Sequence, residues 1–322
     1  MYAFGVDLGG TGVKSGIVNE RGEIVIKSTI KTDPSHDYRI IMHDIANQLK
    51  DLASRADIPM DQIKGVGIGS AGAINSRAGR VDYWSNLNWV EVPVVEELSK
   101  YIDLPIKITN DANAAALGET VFGSGKEYHD TIFITLGTGV GGSVIIENKL
   151  FEGNESKGTE LGHMVIRSGG ELCTCGRRGC LEAYASATAL IRDTKIAMKK
   201  DKTSMMWQFV YGDLDKVDGR TSFECAKMGD YTAKKVVEQY LEYLGEGLCN
   251  FINIFRPQAI ILGGGICAQG EFLTTPLKRF IRDFSYGGES PKVELLVASL
   301  GNDAGLIGGA TLVFSGDVDT LR

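Results

Sequence analysis

The first hundred residues alternate between strand-like and helix-like patterns of apolar side chains. Three segments near the start show the apolar pattern of strands and are joined by short turns: 2–8, 13–19 and 23–30. Residues 37–55 instead place apolar side chains at helical spacing, at Ile40, Ile41, Ile45, Leu49 and Leu52. Apolar runs then predict strands at 63–70 and 106–109, with a short helix at 94–102 between them. This order, a meander followed by alternating helices and strands, predicts an α/β fold.

The pattern of strand, glycine turn and strand begins again near residue 130. Residues 130–136 and 143–150 predict strands on either side of a turn at 137–142. The segments DLGGTGVKSGIV (7–18) and TLGTGVGGSVII (135–146) are therefore two copies of one unit. The remaining chain predicts helices at about 183–200, 230–255, 272–284 and 303–314, and strands at 259–262 and 292–298. Two copies indicate a duplicated architecture with a cleft between the halves.

Composition narrows the class of protein. The 322 residues are 43% hydrophobic and 23% charged, which is typical of a globular protein with an ample core. A net charge of −7 argues against a general nucleic-acid binder. No apolar run approaches the roughly 20 residues of a membrane span. The start, MYAFGVDLGG, lacks the basic and apolar regions of a signal peptide. We therefore expect a cytoplasmic protein with neither a membrane nor a nucleic acid as partner.

The glycine turns are candidate phosphate-binding sites. GTGVGG (137–142) matches a dinucleotide fingerprint, but the strand-like SVII follows where that fingerprint requires a helix. A glycine hairpin can still bind an anion through its backbone N–H groups, and Thr11 and Thr138 add hydroxyl donors. A single turn of this kind is more typical of an ordinary hairpin. Two matched turns, together with GGG at 263–265, favour a nucleotide cleft.

The nucleotide-binding prediction covers both turns and their flanks. Asp7 ends an apolar strand, where it either orients a metal-bound phosphate or a water, or simply begins the turn. The predicted nucleotide-binding residues are Asp7, Gly9, Gly10, Thr11, Gly12, Lys14, Gly137, Thr138, Gly139, Gly264 and Gly265.

Asn110 and Asp111 follow the buried strand predicted at 106–109. Open α/β sheets place ligands at the carboxyl ends of parallel strands. Asp111 can accept a proton from a substrate hydroxyl, as phosphoryl transfer to an alcohol requires, and Asn110 can hold a neighbouring hydroxyl. Alternatively, Asp111 only caps the helix that follows. The local sequence leaves both interpretations open.

The segment GTELGHMVIRSGGELCTCGRRGCLE (158–182) carries a metal-binding pattern. Three thiolates and one imidazole form the ligand set of a closed, structural zinc site. A redox cysteine pair is disfavoured by the third cysteine and the histidine. We read Cys225, Cys249 and Cys267 as small buried apolar side chains. The predicted zinc ligands are His163, Cys173, Cys175 and Cys180.

Together these motifs resemble the ROK family (repressors, open reading frames, kinases), and its bacterial glucokinases most of all. The resemblance covers essentially the whole chain. Its most specific part is ELGH followed by CTCGRRGCLE, and DLGGTGVKSGIV, IKITNDANAAALGE, LGTGVGG and LGGG also match. The family's repressors carry a DNA-binding extension before the first turn. Because Asp7 is the seventh residue here, we expect no such domain.

The resemblance implies roles for individual residues. Asp111 is similar to the base that deprotonates the sugar 6-hydroxyl, and His163 to a residue that ligates zinc and also touches the sugar. Asn86 in SNLNW aligns with a sugar-binding asparagine, with Asn88 nearby as the alternative. Gly72 in SAGAIN lies where the family has a glycine near the sugar, in a segment without the usual proline. The implied substrate-binding residues are Gly72, Asn86, Asn110, Asp111, Glu160, His163 and Glu182.

The resemblance also implies a fold, a reaction and partners. The fold is the two-domain actin-like or hexokinase-like (ribonuclease H-like) α/β fold, with an inter-domain cleft and a zinc-binding loop. We expect a small domain of residues 1–113 plus about 302–322, and a large domain of 114–301 carrying the zinc loop, 158–182. The implied reaction is phosphorylation of a hexose by Mg-ATP, with glucose as substrate, in a homodimer or dimer of dimers with structural zinc. One alternative is a kinase for another sugar, namely N-acetylmannosamine, mannose, allose or fructose. A second alternative is a non-catalytic sugar sensor, which the retained Asp111 disfavours. The phosphoryl donor is also open, because some relatives use polyphosphate.

Overall fold

The computed structural model describes residues 1–287 and 292–314. The strands of this part are β1 (Tyr2–Leu8), β2 (Gly12–Asn19), β3 (Ile24–Lys31), β4 (Ile63–Ser70), β5 (Ala73–Asn75), β6 (Arg80–Trp84), β7 (Trp89–Val92), β8 (Ile106–Asn110), β9 (Thr131–Leu136), β10 (Val140–Ile146), β11 (Lys149–Phe151), β12 (Ala259–Gly263) and β13 (Glu294–Val297). The helices are α1 (Tyr38–Arg55), α2 (Val94–Ser99), α3 (Asp111–Val121), α4 (Glu182–Ala185), α5 (Ala187–Lys200), α6 (Met206–Phe209), α7 (Thr221–Lys227), α8 (Tyr231–Phe255), α9 (Glu271–Phe284) and α10 (Ala304–Phe314).

The described residues form two compact units. Unit 1 contains Met1–Phe133, Ser143–Thr159 and the described residues from Ala298 onward, and unit 2 contains Ile134–Gly142 and Glu160–Val297. These bounds differ from those of the domains expected from the sequence, since residues 114–133 and 143–159 group with the first unit. The expected division at residue 113 stays a prediction.

Unit 1 is built on a five-stranded sheet of order β3-β2-β1-β4-β8. The first three strands form an antiparallel meander, and β4 and β8 join it in parallel. Parallel strands need a crossover, and helices α1 and α2 supply it. Apolar residues of the meander and of α1 form one buried core, which includes Phe4, Ile17, Ile45 and Leu49. A small antiparallel sheet, β5-β6-β7, completes the unit.

Glycines allow α10 to lie directly against its neighbours in unit 1. A Cβ atom at Gly67 of β4 would stand 1.8 Å from the Gly309 carbonyl oxygen, and one at Gly308 would stand 1.6 Å from that of Ala114 on α3. Because only a residue without a side chain fits at these distances, backbone packs on backbone here. This contact fixes α3, whose first residue is Asp111.

Unit 2 contains helices α4 to α9. The second five-stranded sheet has the order β11-β10-β9-β12-β13, with β12 and β13 parallel. This order repeats that of the first sheet: three consecutive strands stand in reverse chain order, and two later strands follow them. The predicted duplication of the strand–turn–strand unit therefore extends to the topology of each sheet.

Several predicted elements differ from those observed. The strand expected at 143–150 is a hairpin, because Glu147 and Asn148 take positive φ angles of 51° and 61° and reverse the chain. The helix expected at about 183–200 is split at Ser186, whose extended backbone ends α4 and whose hydroxyl caps α5. Ile40 is 46% exposed and does not join the buried face of α1. The sequence pattern missed β5 to β7 because these strands are short. Among the described residues, no helix has the length and apolar character to cross a membrane.

Candidate active site and metal site

The junction of β8 and α3 presents the predicted base. Asn110 has an extended backbone and caps α3, its Oδ1 accepting a hydrogen bond of 2.8 Å from the Ala112 amide. Asp111 is exposed at the first helical position, and its Oδ1 lies 2.8 Å from the same amide. The sequence left open whether Asp111 only caps this helix; the N-cap residue in the structure is Asn110. Asp111 thus presents an exposed carboxylate at the first position of α3.

Gly72 and Asn86 lie beside other predicted site residues of unit 1. The Asn110 Nδ2 donates to the Gly72 carbonyl at 3.3 Å. Gly72 has a φ of +98°, and a Cβ there would stand 2.7 Å from the Tyr83 carbonyl oxygen, so the turn requires glycine. Asn86 borders the first glycine turn, since a Cβ at Gly10 would stand 3.2 Å from its Nδ2. The alternative, Asn88, instead ends a 3₁₀ turn with a left-handed backbone.

The first glycine turn is stabilised by its own backbone and by a residue that sequence reasoning missed. The Gly9 amide donates to the Gly12 carbonyl at 3.0 Å. The hydroxyl of Thr32, which follows β3, donates to the Gly9 carbonyl at 3.1 Å, and its amide donates to the Thr11 carbonyl. Thr11 itself is exposed. The exposed Thr11 side chain therefore lies on a turn whose backbone is held by these three hydrogen bonds.

Asp7 and Lys14 are direct neighbours across β1 and β2. Lys14 also donates to the Asn302 carbonyl and lies 3.8 Å from Asp303. Burial raises the pKa of Asp7, the Lys14 ammonium lowers it, and the Asp303 carboxylate raises it again. A half-buried carboxylate with a perturbed pKa therefore lies beside Lys14 and Asp303 at the end of β1. Its role at the nucleotide site stays a prediction.

The second glycine turn is held by the start of α5. The Gly137 amide donates to the Gly139 carbonyl at 3.0 Å. The Ala187 amide donates to the Gly137 carbonyl at 2.8 Å, and the Thr188 hydroxyl donates to the Thr138 carbonyl at 2.7 Å. Thr188 is a second residue that sequence reasoning missed. A cavity of about 380 Å³ borders this turn; its lining includes Thr138, Gly139, Thr174, Glu182 and Thr188.

Glu182 connects the second turn to the cysteine loop. Its Oε2 accepts a hydrogen bond of 3.0 Å from the Val140 amide, and its Oε1 accepts one of 2.9 Å from the Thr174 hydroxyl. A Cβ at Gly139 would stand 2.4 Å from Oε2, so a side chain there would have to displace the carboxylate. Oε1 also accepts from the Cys173 thiol at 3.4 Å, so three of the carboxylate's about four acceptor positions are used and one remains for a ligand hydroxyl.

The GGG segment ends β12 with an exposed backbone. Gly264 has a φ of +91°, and a Cβ there would stand 2.4 Å from the Leu136 carbonyl oxygen. Gly265 begins a 3₁₀ turn, and a Cβ there would meet no atom within 4 Å. Gly264 is therefore constrained by its neighbours, whereas Gly265 borders open space.

The four predicted metal ligands converge. One ligand atom from each of His163, Cys173, Cys175 and Cys180 lies within 4.8 Å of the others. The Cys173 Sγ is 3.5 Å from the His163 Nδ1, and the Cys175 Sγ is 3.7 Å from that of Cys180. A tetrahedral zinc with Zn–S bonds of about 2.3 Å separates its sulfur ligands by about 3.8 Å. The donor set and the spacing therefore fit zinc.

The three thiols of this cluster shift one another's pKa values. Burial raises the pKa of Cys180 to about 12, and the nearby Cys175 and Cys173 thiols add to the rise. Burial likewise raises the pKa of Cys173, whereas the Arg177 amide lowers the pKa of Cys175. Three thiolates this close repel one another unless a cation lies among them. The cluster is thus suited to a metal ion.

Glu160 precedes a short 3₁₀ turn, Leu161–His163, that leads into the cysteine loop. Glu160 is exposed, and its carboxylate makes no hydrogen bond within residues 1–287 and 292–314. His163 is partly buried, with Nδ1 directed at Cys173. The Nε2 atom is then the ring nitrogen left for another partner.

Comparison with known proteins places this geometry in a family. The ROK family model matches residues 3–315. The chain is 36% identical over 310 residues to the glucokinase of Thermotoga maritima, covering 96% of each protein. It is 35% identical over 311 residues to the glucokinase of Streptomyces coelicolor, again covering 96% of each.

A solved structure extends the likeness to the fold. The crystal structure of a ROK family glucokinase from Streptomyces griseus in complex with glucose and AMPPNP superposes with a TM-score of 0.80 at 34% identity, covering 98% of this chain and 100% of that one. The expected hexokinase-like α/β fold and the family resemblance are confirmed. The chain belongs to the ROK family.

Proposed function

We propose that the protein is a glucokinase that transfers the γ-phosphoryl group of ATP to the 6-hydroxyl of glucose. The observation that carries the proposal is the exposed Asp111 carboxylate, held at the start of α3 beside Asn110, in a chain similar to glucokinases over 96% of its length. A positioned carboxylate is what phosphoryl transfer to an alcohol needs.

Residues of unit 1 supply the base and part of the sugar contacts. Asp111 takes the proton of the 6-hydroxyl as its oxygen attacks the γ-phosphorus, and the bond from that phosphorus to the β,γ-bridging oxygen of ATP breaks. Asn110 holds a neighbouring hydroxyl. Its Nδ2 donates to the Gly72 carbonyl and its Oδ1 accepts from the Ala112 amide, and each atom has capacity for a second hydrogen bond. Asn86 and the Gly72 turn contact the sugar. Most of the rate comes from positioning and charge stabilisation rather than from covalent chemistry.

Residues of unit 2 complete the proposed sugar contacts. Glu160, the Nε2 atom of His163 and Glu182 bind ring hydroxyls. Glu160 offers an exposed carboxylate, and Glu182 offers its remaining acceptor position. The glycine turns at 9–12 and 137–139 and the exposed backbone of Gly264 and Gly265 bind the nucleotide.

Two metal ions accompany the reaction. Zinc, held by His163, Cys173, Cys175 and Cys180, is structural because all four positions are protein ligands. It orders the loop that carries Glu160 and Glu182. Asp7, at the end of β1, would orient the magnesium ion of Mg-ATP or its water, and that ion would supply neutralisation of phosphate charge.

A coupled assay of ADP release across glucose, mannose, fructose, allose and N-acetylmannosamine tests the proposal. The highest kcat/KM is expected with glucose. A higher value with another hexose would reassign the substrate, and no ADP release with any hexose would indicate a sensor. Measuring the sugar phosphate formed with ATP and, separately, with polyphosphate identifies the donor, because transfer from polyphosphate releases no ADP. Light scattering measures the assembly, which we propose to be a homodimer or dimer of dimers.

A further inference from the structure

A buried carboxylate, Glu152, lies behind the segment that carries the proposed base. Glu152 follows β11 in unit 1 and is 8% exposed. Its Oε1 accepts a hydrogen bond of 2.7 Å from the Thr109 hydroxyl and lies 3.4 Å from the Asn113 Nδ2. The Asn113 Nδ2 also donates to the Thr109 hydroxyl oxygen at 3.2 Å. One carboxylate oxygen thus holds two side chains of β8 and α3.

These two side chains bracket the reactive segment. Thr109 immediately precedes Asn110, and Asn113 is two residues after Asp111. Both are buried, with exposed fractions of 0% and 5%. Hydrogen bonds to a charged acceptor away from water are strong and directional. The backbone that carries Asn110 and Asp111 is therefore anchored on both sides through Glu152.

The second oxygen of Glu152 binds the segment around β5, which also contacts the Asn110 side chain. The Ser76 hydroxyl donates to Oε2 at 2.7 Å and lies 2.6 Å from the Ser156 hydroxyl. A carboxylate only accepts, so Ser76 has used its proton and Ser156 must donate to it. Ser76 follows β5, and Gly72, whose carbonyl accepts from Asn110, precedes that strand. Glu152 therefore binds both segments that hold Asn110: the one that contains Thr109 and Asn113, and the one that runs from Gly72 to Ser76.

We propose that Glu152 is a positioning residue for the phosphoryl transfer, fixing Asn110 and Asp111 through Thr109, Asn113 and Ser76. The proposal rests on the proposed role of Asp111. Reacting groups must be held within a fraction of an ångström, and a misplacement of 1 Å costs about 100-fold in rate. Loss of Glu152 should therefore lower the rate of the chemical step more than it weakens binding of the sugar.

The test compares Glu152→Ala with Glu152→Gln and with a matched control. Glu152→Ala should lower kcat about 10-fold to 100-fold, with the KM for glucose changed by less than about threefold. Glu152→Gln should recover most of kcat, because its oxygen still accepts from Thr109 while its amide donates to Ser76. Glu97→Ala is the control, since Glu97 is also a buried carboxylate of unit 1, at 3% exposure, but its hydrogen bonds go to Lys100 and Tyr101. It should lower Tm and leave kcat unchanged.

Thr109→Val keeps the test decisive if Glu152→Ala fails to fold. Valine preserves the shape of the side chain and removes only the hydroxyl, so kcat should again fall while glucose KM is retained. Wild-type kcat per folded molecule in Glu152→Ala, or in Thr109→Val where the first variant does not fold, would overturn the proposal. An equal loss of kcat in Glu97→Ala would overturn it as well.

Hydrogen exchange separates this proposal from the proposed function. Amide exchange across residues 109–113 should accelerate in Glu152→Ala and stay unchanged in Glu97→Ala. If the wild-type protein phosphorylates no hexose, the proposed function fails, and exchange alone decides whether Glu152 fixes this segment. Unchanged exchange in that case would overturn the positioning role too.

Discussion

The carboxylate of Glu182 accepts a hydrogen bond of 3.0 Å from the backbone amide of Val140. The same carboxylate accepts from Thr174, between two of the metal-binding cysteines. The second glycine turn and the cysteine loop of unit 2 are therefore joined by one side chain. If Glu182 also binds the sugar, metal, sugar and phosphate contacts depend on each other within this unit.

Replacing Asp111 tests the assignment of the base. Asp111→Ala should lower kcat at least about 100-fold, because general base catalysis is typically worth about 10²–10⁴. The fold and the metal content should be unchanged, since the side chain is exposed and Asn110 retains the cap of α3. Asp103→Ala, an exposed aspartate in the same unit, serves as the control. Near-normal turnover in Asp111→Ala would contradict the assignment.

Removing one metal ligand tests the zinc-ordered loop. Cys175→Ser should lose zinc, measured by elemental analysis, and should raise the KM for glucose in parallel. Thermal stability should fall as well, because the binding energy of a closed metal site contributes to folding. Arg177→Ala, an exposed neighbour, should keep both metal and affinity. A loss of metal with an unchanged KM for glucose would separate the loop from the sugar.

Two glycines of the second turn should respond differently to alanine. Gly139→Ala places a methyl group 2.4 Å from the Glu182 carboxylate, whereas a methyl group at Gly137 meets nothing within 4 Å. Gly139→Ala should therefore displace the Glu182 carboxylate from the Val140 amide and cost about 0.5–1.5 kcal/mol in the free energy of unfolding, the usual net worth of one hydrogen bond. Gly137→Ala should cost clearly less. Denaturant titration of the two variants measures the difference, and equal costs would contradict the contact with Glu182.

The half-buried Asp7 should oppose stability at neutral pH. Burial raises its folded pKa above the ordinary value of 3.8, so its charged form is disfavoured in the folded state. The penalty is absent below that ordinary value, grows as pH rises from it to the folded pKa, and stays constant above the folded pKa. Asp7→Asn should thus raise Tm at pH 7 relative to the wild type, and the gain should shrink as pH falls towards 4.

The activity of Asp7→Asn should move in the opposite direction. If Asp7 orients magnesium or its water, the variant should lose phosphorylation while becoming more stable. A Tm difference that does not change with pH would show that the carboxylate is not penalised by burial. Normal turnover would remove Asp7 from the nucleotide site.

The sequence predicted the features that short motifs encode. The cysteine spacing identified the converging metal ligands, and the end of the strand IKIT placed Asn110 and Asp111 correctly. Both patterns lie within short stretches of the chain, so they can be recognised without knowing the fold. The sequence did not indicate Glu152, because Thr109 and Ser76, which its carboxylate binds, are 43 and 76 residues away. Thr188 lies 50 residues from the Thr138 carbonyl that it holds and has no local signal either. Hydrogen bonds between distant segments exist only once the chain has folded.

The repeated strand order of the two sheets suggests descent from one ancestral half that was copied and then diverged. In the first sheet, the fifth strand leads into Asn110 and Asp111, whereas in the second, β13 leads into Ala298 and Ser299. The second sheet instead exposes backbone glycines after its fourth strand, β12. Under the proposed function both copies keep a glycine turn for the nucleotide, and the first copy has in addition specialised in side-chain acid–base chemistry at the end of β8.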